Sequence, residues 1–177
     1  AGLKMAVHQQ FRWSSIIRAA QALMTEGWLG DILDVQVQVS IHTPWEMWPW
    51  IASQPRLEVL FHSIHYLDSL RFLFGDPTLV TSRHTKHPTQ LAKGETKTIT
   101  TWEYANGLQI LIAICHFDWS PGLYSLFRVL GTDGLIEGTI GRLPHLITGL
   151  TRPFIGPQDF TRQMSGLVHV DMRIRLV

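Results

Sequence analysis

Glu58, His62, His65 and Ser69 stand at positions i, i+4, i+7 and i+11 of the stretch Pro55 to Gly75, PRLEVLFHSIHYLDSLRFLFG. At ~100° per residue, an α-helix brings all four into a sector of roughly 60°. Leu57, Leu60, Phe61, Ile64, Leu67 and Leu70 cover the flanks. A buried polar group without a partner costs free energy, so a carboxylate and two imidazoles on one line of an apolar helix need an explanation. The stripe either meets water or lines a cavity where protons move or a ligand binds. Imidazole titrates near neutral pH, which suits His62 and His65 to general acid/base work. Glu58 lies near the helix start, where the dipole favours a carboxylate; a solvated or salt-bridged place is expected for it, and a substrate contact is its alternative role. Glu58, His62 and His65 could also form a three-ligand metal face, which would make the protein a metal-dependent hydrolase. No other His or Cys cluster supports that face, so no metal is expected.

The elements that must position this stripe are legible from pattern. Ser14 suits an N-cap, Ile16, Ile17, Ala20, Leu23 and Met24 recur at helical spacing, and Gly27 supplies a stop, which predicts a helix over 15–26. In ILDVQVQVSIH, Leu33, Val35, Val37, Val39 and Ile41 alternate with polar residues, predicting a half-buried strand of an antiparallel sheet. HTPWEMWPWIASQ suits neither regular element, and its Trp45, Trp48 and Trp50 could stack on the apolar face of a sugar ring or staple the loop to the core. Pro55 then opens the long helix, which Gly75 ends.

Strand patterns dominate from Thr78 onward. LVTSRHT comes first; TKTITTWEY and LQILIAICHF are joined through Asn106-Gly107, and YSLFRVLG and LIEGTI across Asp133-Gly134, two hairpin signals. Residues 141–167 are poorly patterned, and VHVDMRIRLV reads as a last strand. The whole is an α+β layer: an open, mainly antiparallel sheet with helices packed on one face. Apolar residues on both sides of LQILIAICHF predict a homo-oligomer formed through the other sheet face.

With 177 residues, 45% of them hydrophobic, the chain can build one ordinary domain. A formal net charge of +1 and no basic block argue against nucleic acid or a membrane surface as partners. No apolar run reaches the ~18 residues that a spanning helix needs. Cys115, the single cysteine, excludes an intrachain disulfide and points to a cytoplasmic setting. At the start, LKMAV resembles a strand in progress, which suggests a piece of a longer polypeptide.

The order of these pieces, with HQQFRW at 8–13, SIHYLDSLRFLFGDP at 63–77 and FRVLGTDGLIEG at 127–138, resembles the C-terminal domain of the glucose–fructose oxidoreductase / inositol dehydrogenase (Gfo/Idh/MocA) family over roughly residues 3–140. That resemblance implies an NAD(P)-dependent oxidoreductase acting on sugars, cyclitols or related polyols. It also implies a Rossmann domain absent from this chain, which carries neither G-x-G-x-x-G nor a Glu-Lys-Pro motif. Residues 1–13 would then be the tail of the nucleotide-binding domain and its junction, and 14–177 the substrate-binding and oligomerisation domain. NAD or NADP belongs to the full-length protein; no cofactor is expected for this chain alone, which should be unable to transfer hydride by itself.

In the family an Asp-x-x-x-His pair faces the reacting carbon. His65 matches the His, and Phe61 replaces the Asp. The resemblance therefore implies His65 as acid/base, with His62 or Glu58 in the place of the carboxylate. It places Gln10 and Arg12 at a junction bordering the nicotinamide and the substrate, where Arg12 contacts a substrate hydroxyl or carboxylate or makes an interdomain salt bridge. Ring stacking makes Trp45 and Trp48 substrate candidates, and Asp68 is expected to pair with Arg71 or to cap a neighbour. The alternative from another class is a non-catalytic carbohydrate-binding or scaffold module of the same fold.

Overall fold

The computed structural model of the protein describes residues 2–118, 124–140 and 147–151. Helix α1 (Ser15–Thr25) begins where the chain leaves extended backbone at Ser14 and ends where Gly27 takes φ +74. Glycine enters that left-handed region without the steric cost other residues meet. The Ser14 hydroxyl donates back to the Phe11 carbonyl at 2.8 Å rather than forward onto the helix. Ile16, Ile17 and Ala20 are fully buried, as their spacing predicts.

Among the described residues, seven strands form one sheet: β1 (Ile32–Ser40), β2 (Leu79–Thr85), β3 (Lys97–Glu103), β4 (Gln109–Cys115), β5 (Tyr124–Gly131), β6 (Gly134–Gly138) and β7 (Ile147–Thr151). Their spatial order is β2-β3-β4-β1-β5-β6-β7. All neighbours are antiparallel except the central pair β1 and β4, which run parallel with Val35 opposite Ile110 and Val39 opposite Ile114. Both anticipated hairpins are present, β3–β4 and β5–β6. Strand β7 falls inside the segment whose sequence showed no pattern, and the anticipated strand VHVDMRIRLV lies outside the described residues.

Val35, Val37 and Val39 of β1, Ile110, Ile112 and Ile114 of β4, and Phe127 and Val129 of β5 form the core with α1 and with Tyr66 and Leu70 of the long helix. Each such apolar side chain contributes about 1.5–3 kcal/mol on burial. Leu33 departs from its expected inward direction and is exposed. A register shift against β5 between Ile32 and Asp34 makes it the extra residue of a bulge, and a bulge re-aims the side chain it carries. Gly131 accepts no side chain, because a Cβ there would collide with the Leu29 carbonyl.

The start of the chain also departs from expectation. Residues 2–9 adopt no strand, and Gln10–Trp13 form a 3-10 turn instead of a strand end. A β-run gains its stability from ladder partners, and none of the described strands pairs with it. The Trp-rich segment folds into a 3-10 turn (Trp45–Met47) and a one-turn helix α2 (Pro49–Ala52). No helix among the described residues is long and apolar enough to cross a membrane.

Candidate functional site

The long helix, α3, opens with a π-helical turn (Val59–Ser63) and continues as α-helix (Ile64–Phe74). Its first amides are met from outside. Glu95 Oε1 accepts from the Leu57 and Val59 amides at 3.2 and 3.5 Å, and the Glu95 carbonyl accepts from the Glu58 amide at 3.2 Å. An acidic side chain at a helix N-terminus satisfies otherwise unpaired N–H groups and complements the dipole. Pro55 and Arg56 precede the helix rather than forming its first turn.

The π-turn alters the geometry of the polar stripe. An α-helix sets residues i and i+5 about 140° apart, whereas π-turns form i→i+5 bonds and bring them close together. Ser63, five residues after Glu58, accordingly donates its hydroxyl to Glu58 Oε1. Thr98 on β3 donates to Oε2. Glu58 is completely buried, so the expectation of a solvated or surface-paired carboxylate is corrected. Two hydroxyl donors and two nearby imidazoles replace the water it gives up.

His62 Nδ1 stands 3.7 Å from Glu58 Oε1, and His116 Nε2, from the residue after β4, stands 3.6 Å from the same oxygen. The two imidazoles meet edge to face with centroids 4.2 Å apart. His116 Nδ1 lies 2.7 Å from Thr43 Oγ1, and its ring packs against Trp45. Burial alone would raise the Glu58 carboxyl; His116, His62, Ser63 and Thr98 outweigh it and hold it down at about 2. Burial lowers the His116 pKa against the pull of Glu58, which favours the neutral ring. Tyr66, buried near this carboxylate, is pushed above its ordinary value by burial first and then by the Glu58 charge.

His65 does not join this group. Its Nδ1 lies 2.9 Å from Gln9 Oε1, and its ring sits beside Phe11. The anticipated three-ligand face Glu58–His62–His65 is therefore corrected to Glu58–His62–His116: the π-turn swings the two halves of the stripe apart, and His116 closes in from the sheet. Burial, followed by the neighbouring His62 and His8, lowers the His65 pKa against the pull of Asp68. Because an amide oxygen only accepts, His65 Nδ1 carries the hydrogen in this pairing and Nε2 keeps a lone pair.

Arg12 forms a two-pronged ion pair with Asp68, Nε to Oδ2 at 2.6 Å and Nη2 to Oδ1 at 2.5 Å. The guanidinium thus ties the N-terminal 3-10 turn to α3. Arg71 pairs with Asp76 instead, which corrects the Asp68–Arg71 pairing: Asp68 turns toward the 3-10 turn and Asp76 follows the helix end. Gln10 is exposed, and its neighbour Gln9, which the sequence reading passed over, is the residue that meets His65. Trp45 is buried, and with Thr43, Glu46, Gln90 and Phe117 it lines a cavity of about 330 Å³; His65 is not among the lining residues. Trp48 and Trp50 are exposed, the latter edge-on to Phe61.

Sequence-missed contributors are thus Gln9, Thr43, Ser63, Glu95, Thr98 and His116. A His directly after an apolar strand run was the one visible signal for His116; the others needed the π-turn or the long-range fold.

The family model of the GFO/IDH/MocA C-terminal domain matches residues 17–137. D-apiose dehydrogenase of Rhizobium rhizogenes is 27% identical over 143 residues, covering 77% of this chain and 41% of that protein. Among solved structures, an oxidoreductase from Agrobacterium radiobacter in complex with NAD+, L-tartaric acid and magnesium superposes with a TM-score of 0.67 at 24% identity, covering 80% of this chain and 44% of that one. An inositol dehydrogenase homolog from Azotobacter vinelandii complexed with NADH and myo-inositol gives 0.65 at 19% identity, covering 82% and 42%. These two structural likenesses establish the fold. The chain spans less than half the length of each of these relatives.

Removing one hydroxyl tests whether the Glu58 carboxylate is held as described. Thr98→Val leaves Oε2 without its donor in a buried setting, and the expected loss is about 1–3 kcal/mol in urea-unfolding free energy. An unchanged unfolding midpoint would show that this oxygen does not depend on Thr98.

Proposed function

Since this chain belongs to the GFO/IDH/MocA family, matching its C-terminal domain over more than half of its length, we propose that it is the substrate-facing part of an NAD(P)-dependent dehydrogenase acting on a sugar, cyclitol or related polyol. The observation that carries this reading is His65: a half-buried imidazole with Nδ1 held by Gln9, Nε2 without a hydrogen-bond partner among the described residues, and a pKa lowered toward the neutral form. Oxidising a carbinol leaves a hydroxyl proton that needs a nearby acceptor, and a neutral imidazole is suited to take it. In this reading Gln9 and Phe11 orient the ring, and the Arg12–Asp68 pair fixes the segment that carries them against α3. Arg12 then acts by positioning, since its guanidinium is already committed to Asp68.

The nicotinamide dinucleotide finds no glycine-rich phosphate loop in this sequence. These residues do not fit it as a cradle, and no step at this chain is routed through it. We assign the cofactor to a nucleotide-binding domain beyond these residues, with 1–13 as the junction. The relatives found with NAD+ and NADH support that assignment.

One further observation favours a second reading, carbohydrate binding without catalysis. The cavity beside Trp45 has the size and the aromatic-plus-polar lining of a small-ligand pocket. We also propose that copies associate through the sheet face opposite the helices, where Ile99 and Tyr124 are exposed and Leu111 is half-buried. A cytoplasmic location is proposed on the strength of the single cysteine.

In the protein that bears this chain, NAD+ or NADP+ reduction across a panel of sugars and polyols tests the first reading. His65→Gln is expected to lower kcat/KM by about 10²–10⁴ and to remove the acid limb of the pH profile. Because the pKa is lowered, that limb lies below the ordinary histidine value of 6.5 in the wild type, and activity falls as the pH drops through it. Undiminished turnover in the variant, or sugar binding with no turnover by the wild type, contradicts this and favours the second reading. For association, light scattering is expected to give a dimer or larger; a monomer mass contradicts it.

A further inference from the structure

Glu58, His62 and His116 form a group that the proton transfer at His65 does not use. Each of the three offers one ligating atom, and these atoms lie within 4.8 Å of one another; Glu58 Oε1 faces both His62 Nδ1 and His116 Nε2. The separations of 3.7 and 3.6 Å from the carboxylate oxygen are too long for hydrogen bonds. They are close to the ~3.4 Å between ligand atoms that surround a tetrahedral ion at about 2.1 Å. Both ring nitrogens are buried and have no hydrogen-bond partner among the described residues, and His116 is 1% exposed. Buried polar atoms are nearly always satisfied, so two that face the same carboxylate oxygen mark a place for a third species. The chemistry of that place favours a cation, since the ion-pair partners of Glu58 among the described residues are these two imidazoles.

The surrounding contacts are those that metal ligands require. Ser63 donates to the ligating oxygen of Glu58 and Thr98 to the other, which fixes the carboxylate plane. Thr43 Oγ1 holds His116 at Nδ1, 2.7 Å away, the contact that orients an imidazole whose Nε2 ligates. The alternative, a neutral ring at each position with its N–H aimed at Glu58 Oε1, would leave both donors 3.7 and 3.6 Å from their acceptor, beyond hydrogen-bond reach.

We propose that Glu58 Oε1, His62 Nδ1 and His116 Nε2 bind a divalent first-row cation, with Zn2+ the ion best suited to two imidazoles and one carboxylate. Of the three side chains, that of His62 is the one partly open to solvent, at 24% exposure. The ion ties the π-turn of α3 to the end of β4 and to the Trp45 segment. This site stands independently of the dehydrogenase reading, because its test reads metal and not hydride.

The experiment is titration of the chelator-stripped chain with Zn2+ alone by calorimetry, followed by Co2+ absorption. One equivalent is expected to bind and raise Tm, and Co2+ is expected to show the visible bands of a tetrahedral site. His62→Gln and His116→Gln should each weaken binding by about 100-fold, and Thr43→Val, which keeps every ligand, by about tenfold. His8→Gln, on an exposed histidine of the N-terminal segment, should change nothing. If either ligand variant unfolds, Thr43→Val and the Co2+ spectrum of the wild type carry the decision. A folded, stripped chain that takes up no Zn2+ overturns the proposal. So does uptake that persists unchanged in both ligand variants.

Discussion

A buried carboxylate sets the terms for this end of the molecule. Glu58 is wholly removed from water, and an ion of that size loses several kcal/mol of solvation on burial unless other groups replace it. What replaces it comes from three places in the chain: Ser63 one π-turn later, Thr98 on β3, and the imidazoles of His62 and His116. The π-turn is what lets Ser63 reach back, and the Glu95 cap satisfies the helix amides beside it. Helix start, sheet end and Trp45 segment are therefore joined through one oxygen-rich point rather than through apolar packing alone.

That arrangement divides the polar stripe of α3 into two. Its first part, Glu58 and His62, turns inward to His116. Its second part, His65, meets Gln9 and Phe11 of the N-terminal segment, which the Arg12–Asp68 pair anchors. The half-buried imidazole, its Nε2 without a hydrogen-bond partner among the described residues, is the group suited to accept a proton, whereas the buried triad is suited to hold a cation. The cavity at Trp45 lies on the triad's flank, since the same Trp packs on His116.

The sheet was legible because alternation in β1, β4 and β5 reports directly which side chains turn inward, and Asn106-Gly107 and Asp133-Gly134 carry turn chemistry of their own. The parallel pairing of β1 with β4 was not legible, since alternation is the same for either direction. Leu33 was misdirected by a bulge that no local residue announces. In the site, helical spacing located Glu58, His62 and His65 but assumed 100° per residue throughout. The π-turn broke that assumption, so Ser63 went unseen, whereas Glu58 was expected at the surface because of its place near the helix start. Thr98 and His116 lie 40 and 58 positions from Glu58, Thr43 lies 73 from the His116 it holds, and only the folded topology brings them near. Asp68 was expected to pair with the nearby Arg71, and the long-range pair with Arg12 formed instead.

The account depends most directly on Glu58 being ionised inside the protein. Carboxyl-detected 13C NMR of the metal-free chain, with Glu58 assigned, reports its protonation during an acid titration. The account predicts that the Glu58 resonance keeps the shift of a carboxylate until the pH falls toward about 2, well below its ordinary value of 4.5. A resonance that titrates at or above 4.5 in the folded protein would mean a neutral acid in that position, and the interactions described around it would be wrong.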